Sequence, residues 1–227
     1  MQLSDTTLDI LRNYSAINQN LLIEPGNVIK TVNESRTILS TATIAESFPK
    51  EIGIYDLNEF IGAMSLVQKP TLDFKDEYIT LSDESGRASV KYFTAAKETL
   101  TKQQKTLSMP EADVKFKLDN DTFNKLKKAA STLGHKELSI TAKDGVLSLS
   151  VVENQNATSN AFSIDMDGEF KQDAVFNFIL NFDNLKLLPG DYDVEISSKL
   201  VTQFSMDNLK YWIAVEKSST YGAWHVR

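Results

Sequence analysis

The sequence predicts an α+β protein built from two tandem domains, each with two helices and a β-rich remainder. Its 227 residues are enough for two domains of roughly 100 residues. Apolar residues make up 41% of the chain and charged residues 24%, a composition that can bury a core. Both halves repeat one order of elements: a helix, three strands, a strand leading into a second helix, and three more strands. We therefore predict two copies of one unit, residues 1–96 and 112–227, joined by a crossover over residues 97–111.

Capping residues and hydrophobic periodicity mark two helices in the first half. One spans residues 4–18 and begins at Ser4, and the other runs from Asp56 to about Val67. Apolar residues at helical spacing predict the buried face of the first helix: Leu8, Leu11, Tyr14 and Ile17. β-Branched runs between turn residues predict strands at 21–24, 28–32, 37–44, 71–74, 78–82 and 88–95. Residues 97–106 are polar and aperiodic, which is typical of a linker that crosses a surface.

The second half repeats this order. A helix is predicted from Asp119 to Leu133, and a shorter one from Phe182 to Leu188 that Pro189-Gly190 stops. Lys143-Asp144-Gly145 is a strong hairpin signal between two β-branched runs. The predicted strands are 137–142, 146–152, 161–166, 174–180, 192–197, 202–206 and 210–216.

The net charge argues against a generic nucleic-acid binder. Lys and Arg number 24 against 31 Asp and Glu, which gives a formal charge of −7. A chain of this kind binds DNA only if its basic residues are segregated on one surface. The helix from Asp119 offers such a surface, because Phe123, Leu126, Ala130 and Leu133 share one face while Lys125, Lys128 and Lys136 share the opposite one. An ordinary amphipathic helix with solvated lysines explains the same pattern.

The residues that catalysis requires are scarce. The chain has no Cys, and its two histidines are His135, at a predicted helix end, and His225, in the tail. Acids at 165–169 lack the spacing of an EF-hand, so a solvated turn is the simpler interpretation and no metal site is predicted. No apolar run is long enough to cross a membrane, and the N-terminus lacks the basic start of a signal peptide. We therefore expect a soluble protein with no membrane partner.

Several segments carry a resemblance to a known family. In the first half they are Tyr14-Ser15-Ala16-Ile17-Asn18 and Ile54-Tyr55-Asp56-Leu57-Asn58-Glu59-Phe60. In the second half they are Ile140-Thr141-Ala142-Lys143-Asp144-Gly145, Leu187-Leu188-Pro189-Gly190 and Tyr211-Trp212-Ile213-Ala214-Val215-Glu216. In this order, and with the internal repeat, the chain resembles the DNA sliding clamps of T4-type bacteriophages over nearly its whole length.

The resemblance implies a DNA-clamp (processivity) fold in a ring-forming homotrimer, with helices lining the hole. Such a ring encircles double-stranded DNA and tethers the replicative DNA polymerase, with no cofactor and no enzymatic activity of its own. It further implies a clamp loader complex and late-transcription factors as partners, in the cytoplasm of the infected bacterial host. The residues expected to face DNA are Arg12, Lys125, Lys127, Lys128, Lys136 and Lys186. Asp5 and Asp9 share the outward face of the first helix and put the contribution of Arg12 in doubt.

A ring also needs edge strands that pair between subunits. The candidates are the strand from Ser89 to Ala95, with Lys91 and Phe93, and the strand from Ala161 to Met166, with Phe162 and Ile164. Partner proteins of this family insert short hydrophobic C-terminal peptides under the crossover. The residues expected to line that pocket are Leu107, Met109 and Pro110, although each of them could simply pack the crossover onto the sheet.

Two other classes of protein remain open from the sequence. A phage structural protein or β-sandwich interaction protein also needs no catalytic residues, but it predicts neither an internal repeat nor paired basic helices. A hydrolase with an unrecognised Lys or acidic site would require a pocket that holds a titrating group with a perturbed pKa.

Overall fold

The computed structural model describes residues 1–101, 107–153, 156 and 158–222. The chain divides into two compact units, unit 1 (Met1–Thr106) and unit 2 (Leu107–Arg227). This division lies inside residues 97–111, the segment that the sequence assigns to the crossover. Within the described residues, no helix is both long enough and apolar enough to span a membrane.

The described part of unit 1 contains two α-helices and seven strands. The helices are α1 (Asp5–Ile17) and α2 (Leu57–Ser65). The strands are β1 (Leu21–Ile23), β2 (Gly26–Val32), β3 (Ile38–Phe48), β4 (Ile52–Ile54), β5 (Thr71–Phe74), β6 (Tyr78–Ser82) and β7 (Ser89–Phe93). Pairing is antiparallel: β1 pairs with β4, β2 pairs with β3, and β5, β6 and β7 form a meander with β7 at one edge.

The core of unit 1 lies where α1 packs against α2 and the β2–β3 hairpin. The prediction for α1 is confirmed for Leu11, Tyr14 and Ile17, which are buried, while Leu8 is only half-buried. Ile10 and Thr7 are buried as well, because the helix contacts more than one element and its apolar stripe is correspondingly wide.

The described part of unit 2 repeats the pattern with one long helix, α3 (Asn120–Leu133). Its strands are β8 (Val114–Leu118), β9 (Glu137–Lys143), β10 (Val146–Val152), β11 (Phe162–Met166), β12 (Glu169–Phe170), β13 (Phe176–Asn181), β14 (Tyr192–Ser197), β15 (Val201–Met206), β16 (Leu209–Ala214) and β17 (Thr220–Tyr221). One antiparallel sheet has the order β11-β10-β9-β13-β17, so β11 is an edge strand. In the other antiparallel sheet, β12, β8, β14, β15 and β16 are successive neighbours.

The second helix predicted for unit 2 is wrong in extent. Only Phe182–Asn184 forms a single 3₁₀ turn, and the chain then extends so that Leu185 and Leu187 are both buried. The backbone of Leu188 forms hydrogen bonds with two tyrosine side chains and not with the preceding turn of a helix. Its N–H donates to the Tyr211 hydroxyl at 3.3 Å, and its carbonyl accepts from the Tyr192 hydroxyl at 2.6 Å. These buried side chains override the helical signal of the local sequence.

The first part of the predicted linker over residues 97–106 contacts unit 1. Leu100 is buried, and the Ala95 N–H donates to the Gly53 carbonyl at 2.8 Å. The Thr101 N–H also donates to Asn20 Oδ1 at 2.9 Å. Residues 97–101 are therefore anchored on unit 1, while residues 102–106 lie outside the described part of the chain.

Candidate nucleic-acid interface

Two lysines of α3 present ammonium groups directly to solvent. The helix begins at Asp119, whose carboxylate accepts from the Thr122 N–H at 2.7 Å and from the Thr122 hydroxyl at 2.8 Å. Its buried face holds Phe123, Leu126 and Ala130. Lys125 and Lys128 lie on the opposite face and are exposed, and the ion pairs of the described residues include neither of them.

Lys127 and Lys136 each lie close to another side chain, and Lys136 lies beyond the end of the helix. Lys127 is exposed, and its Nζ lies 4.6 Å from the centre of the Phe123 ring, which is cation–π distance. The prediction that Lys136 belongs to the helix face is wrong, because Gly134 ends α3 in the left-handed conformation with φ 72°. Lys136 Nζ instead forms an ion pair with Asp183 Oδ2 at 3.0 Å. A cleft of about 350 Å³ is lined there by Lys127, Ala130, Ser131, Gly134, His135, Lys136, Phe182 and Asp183.

Lys186 lies just after the 3₁₀ turn rather than on a helix. Its side chain is exposed between the buried Leu185 and Leu187. His135 follows the end of α3, and its ring Nε2 lies 2.8 Å from the Asn160 carbonyl oxygen. His225 lies outside the described residues.

The helices of unit 1 form an acidic surface. Arg12 is exposed, and its Nη1 lies 2.8 Å from Asp9 Oδ1. Asp5 on the same helix and Glu59 on α2 are also exposed. The ion pair between Arg12 and Asp9 is the structural basis of the doubt about Arg12 that the sequence raises.

The two strands predicted to join subunits are both sheet edges. On β7, Phe93 is 62% exposed, and Lys91 Nζ lies 3.9 Å above the Tyr78 ring and 4.7 Å from the Phe93 ring. On β11, Phe162 and Ile164 are half-buried and share one face of the strand. An apolar edge of this kind is a template for pairing with another strand.

The residues predicted to line a partner pocket lie just before β8. Leu107, Met109 and Pro110 are each half-buried. The chain from Pro110 continues to Asp113, whose carboxylate interacts with the Tyr221 hydroxyl.

An exposed apolar surface beyond Asp113 was missed in the sequence. Tyr221 stacks against Phe178 with ring centres 5.8 Å apart, and Val175 is 42% exposed. The signal in the sequence was the adjacent apolar pair Val175 and Phe176 in a predicted strand, because neighbouring strand residues point to opposite faces and only Phe176 is buried.

The pKa values of Asp56, Asp119 and Tyr92 are shifted, but the two acids cap helices and the tyrosine is buried. The backbone N–H of Thr122, with its hydroxyl, lowers the pKa of Asp119, and the backbone N–H of Glu59 does the same for Asp56. Burial, followed by the charge of Glu59, raises the pKa of Tyr92 to about 12. Among the described residues, no group of three or more His, Asp or Glu could hold a metal ion. These shifts do not supply the reactive group that the hydrolase hypothesis requires.

Comparison with known proteins places both halves of the chain in one family. Residues 4–99 match the family model described as DNA polymerase processivity factor, and residues 115–217 match the one described as gp45 sliding clamp, C terminal. Curated proteins named sliding clamp are similar over nearly the whole chain. Those of Vibrio phage KVP40, Escherichia phage RB69 and Enterobacteria phage T4 are 28%, 29% and 26% identical, over 95%, 97% and 97% of this chain and 99% of each relative.

Solved structures are similar in fold at low sequence identity. A PCNA2-PCNA3 complex from Sulfolobus tokodaii matches with a TM-score of 0.70 and 14% identity, over 95% of this chain and 99% of that one. A. fulgidus PCNA, solved with the C-terminal region of FEN-1 bound, matches with a TM-score of 0.72 and 12% identity, over 96% and 98%. The predicted α+β clamp fold and the predicted family are thus confirmed. The chain belongs to the family of T4-type bacteriophage sliding clamps, which are DNA polymerase processivity factors.

Proposed function

We propose that three copies of this chain close into a ring around double-stranded DNA and tether the replicative DNA polymerase to it. The ring has no catalytic role, and its contribution to replication is to keep the polymerase on the template. Processivity then comes from enclosure of the duplex, so the contact between ring and DNA can be weak.

The observation that carries this proposal is the pair of exposed lysines on α3. Lys125 and Lys128 have no ion-pair partner among the described residues, in a chain whose formal charge is −7. DNA phosphates repel a protein with this net charge. The exposed lysines can therefore hold the duplex only if the ring keeps it close to them. Lys127 and Lys186 add positive charge on the same unit, whereas the charge of Lys136 is offset by Asp183.

The contacts between subunits are proposed at the edge strands β7 and β11. Phe93 and Lys91 on one strand, and Phe162 and Ile164 on the other, would be covered when the edges of two subunits pair. Pairing satisfies backbone groups that an isolated edge leaves open, and the aromatic side chains supply apolar area. A homotrimer uses both edges of every subunit.

A partner peptide is proposed to bind beside the end of the crossover. Leu107, Met109 and Pro110 are the residues expected to line this surface. Val175 and Tyr221 add exposed apolar area near Asp113, whose carboxylate interacts with the Tyr221 hydroxyl. A PCNA of similar fold is solved with the C-terminal region of FEN-1 bound, which supports binding of a terminal peptide. The polymerase is the first expected occupant here. Late-transcription factors are expected to compete for this surface, and a clamp loader complex is expected to open the ring, in the cytoplasm of the infected bacterial cell.

Primer extension with the cognate polymerase and loader tests this function. Wild-type clamp should give long products from single binding events, measured with excess unlabelled primer-template as a trap. Lys125→Glu with Lys128→Glu should shorten them, because phosphate is now repelled from α3. Both side chains are exposed, so the stability of the protein should change by no more than about 0.5 kcal/mol.

The matched control for this variant is Lys30→Glu with Lys75→Glu, which makes the same charge change on strands and turns of unit 1. It should keep product length close to that of the wild type. If the wild-type clamp fails to lengthen products, the proposed function is wrong. If both variants shorten the products equally, the net charge of the protein, and not the α3 surface, determines product length.

A further inference from the structure

Two basic residues expected to face DNA are already paired with a carboxylate of their own unit. Arg12 Nη1 lies 2.8 Å from Asp9 Oδ1 in unit 1, and Lys136 Nζ lies 3.0 Å from Asp183 Oδ2 in unit 2. The side chains of Asp9 and Asp183 are 61% and 67% exposed, so neither pair belongs to a core. Exposed ion pairs of this kind contribute little to stability. The fold therefore has little need of either carboxylate.

Each pair matters for the electrostatics of its surface. A phosphate that approaches Arg12 must displace Asp9 and is repelled by it, and the same holds for Lys136 and Asp183. A cation already neutralised by the protein adds little to the release of counterions, which is the main source of backbone affinity for DNA. Lys125 and Lys128 differ because they have no such partner among the described ion pairs.

Asp183 lies among basic side chains of unit 2. It lines the cleft of about 350 Å³ together with Lys127, His135 and Lys136. Without that carboxylate, the charged side chains of the cleft would all be cationic and would suit a phosphate. Asp183 is thus the one acidic residue among the described residues that line this cleft, which also include two lysines, His135 and Ser131.

We propose that Asp9 and Asp183 are masking residues that keep Arg12 and Lys136 from binding DNA phosphates. Phosphate contact is then left chiefly to Lys125 and Lys128, and the enclosed duplex slides with little friction. This inference rests on the proposal that these surfaces face DNA. It adds that two carboxylates limit how strongly the surfaces bind phosphate.

The test is the salt dependence of binding of the full-length protein to a short DNA duplex, measured by fluorescence anisotropy. Asp9→Asn combined with Asp183→Asn frees both cations. The slope of log affinity against log salt should become steeper by roughly 0.9 for each additional phosphate neutralised. Between about 50 and 200 mM salt, that is about a 3.5-fold larger loss of affinity per contact.

A matched control removes two equally exposed, ion-paired carboxylates elsewhere. Asp73→Asn with Asp193→Asn changes the net charge by the same amount and frees Lys75 and Lys117, whose Nζ atoms lie 2.7 and 3.8 Å from their partners. This variant should keep the wild-type slope. Thermal denaturation of both variants checks that each is folded.

Three outcomes separate this inference from the function beneath it. A steeper slope only in the Asp9/Asp183 variant supports masking. If Lys125→Gln with Lys128→Gln flattens the slope but the Asp9/Asp183 variant matches the wild type or the control, masking is overturned and the DNA surface stands. If the lysine variant leaves the slope unchanged, the DNA-facing assignment fails and the inference fails with it.

Discussion

At the scale of single residues, Asp119 determines where the basic helix begins. Its carboxylate accepts both the N–H and the hydroxyl of Thr122, which satisfies a donor that the first turn leaves open. The same two hydrogen bonds hold the pKa of Asp119 below its ordinary value of 3.8. The cap fixes the start of α3, and burial of Phe123, Leu126 and Ala130 leaves Lys125 and Lys128 on the solvent face.

Asp119→Ala should lower the free energy of unfolding by about 1 kcal/mol near neutral pH, the usual cost of losing an N-cap. Because the folded protein favours the ionised carboxylate, this contribution is full above the unfolded pKa and is lost as pH falls through the lower folded pKa. The difference between wild type and Asp119→Ala should therefore shrink below about pH 4. Denaturant unfolding at several pH values measures it.

Asp119→Asn is the control, since Asn is also a good N-cap and does not titrate. It should stay within a few tenths of a kcal/mol of the wild type near neutral pH. A difference between wild type and Asp119→Ala that does not change with pH would contradict the role assigned to the carboxylate.

At the scale of elements, the start of the crossover is part of unit 1. Leu100 is buried, and its Cδ1 lies beside Gly53, where a Cβ would collide with the carbonyl oxygen of Ala95. The glycine therefore permits close approach of the two chain segments. Leu100→Ala should lower the free energy of unfolding by about 2 to 5 kcal/mol, as for other buried leucines.

Leu66→Ala is the matched control, because that leucine is 74% exposed at the end of α2. It should change stability by about 0.5 kcal/mol or less in a denaturant titration. Equal, small effects of the two substitutions would mean that residues 97–101 are not anchored.

Elements with a strong local signal were predictable and those set by distant contacts were not. α1 and α3 were predicted to within a residue or two because Ser4 and Asp119 are good caps ahead of periodic apolar residues. The helix predicted over residues 182–188 was wrong because tyrosines from other strands bind its backbone. Strands β8, β12 and β17 were missed because their pairing depends on distant partners, and the last two contain only two residues each.

Residues of the candidate site were also predictable where the signal is local and unpredictable where it depends on a distant contact. Helical periodicity alone places Lys125 and Lys128 on the solvent face of α3, and both are exposed. The ion pair between Lys136 and Asp183 joins residues 47 positions apart, so no local pattern announces it. The acidic neighbours of Arg12, by contrast, were visible in the sequence because they lie on the same helix.

At the scale of the whole molecule, a ring around DNA requires three chains. A trimer has three times the chain mass of 25.4 kDa, which is 76.2 kDa. Light scattering should give this mass at high concentration. Phe93→Asp should shift the equilibrium towards 25.4 kDa chains, because it places a charge on the apolar edge of β7.

Val146→Asp is the control for that variant, because Val146 is also an exposed apolar residue but lies at the hairpin between β9 and β10. It should keep the mass of the wild type. A wild-type mass that stays at one chain at every concentration would count against a ring.

Retention on circular and linear DNA shows whether the protein encloses the duplex. The loaded clamp should stay on nicked circular DNA at a salt concentration that removes proteins bound only through phosphates, since their affinity falls steeply with salt. Cutting the circle once should release it, because the ring slides off the new end, and blocking both ends should restore retention. Equal retention on circular DNA and on linear DNA with free ends would contradict enclosure.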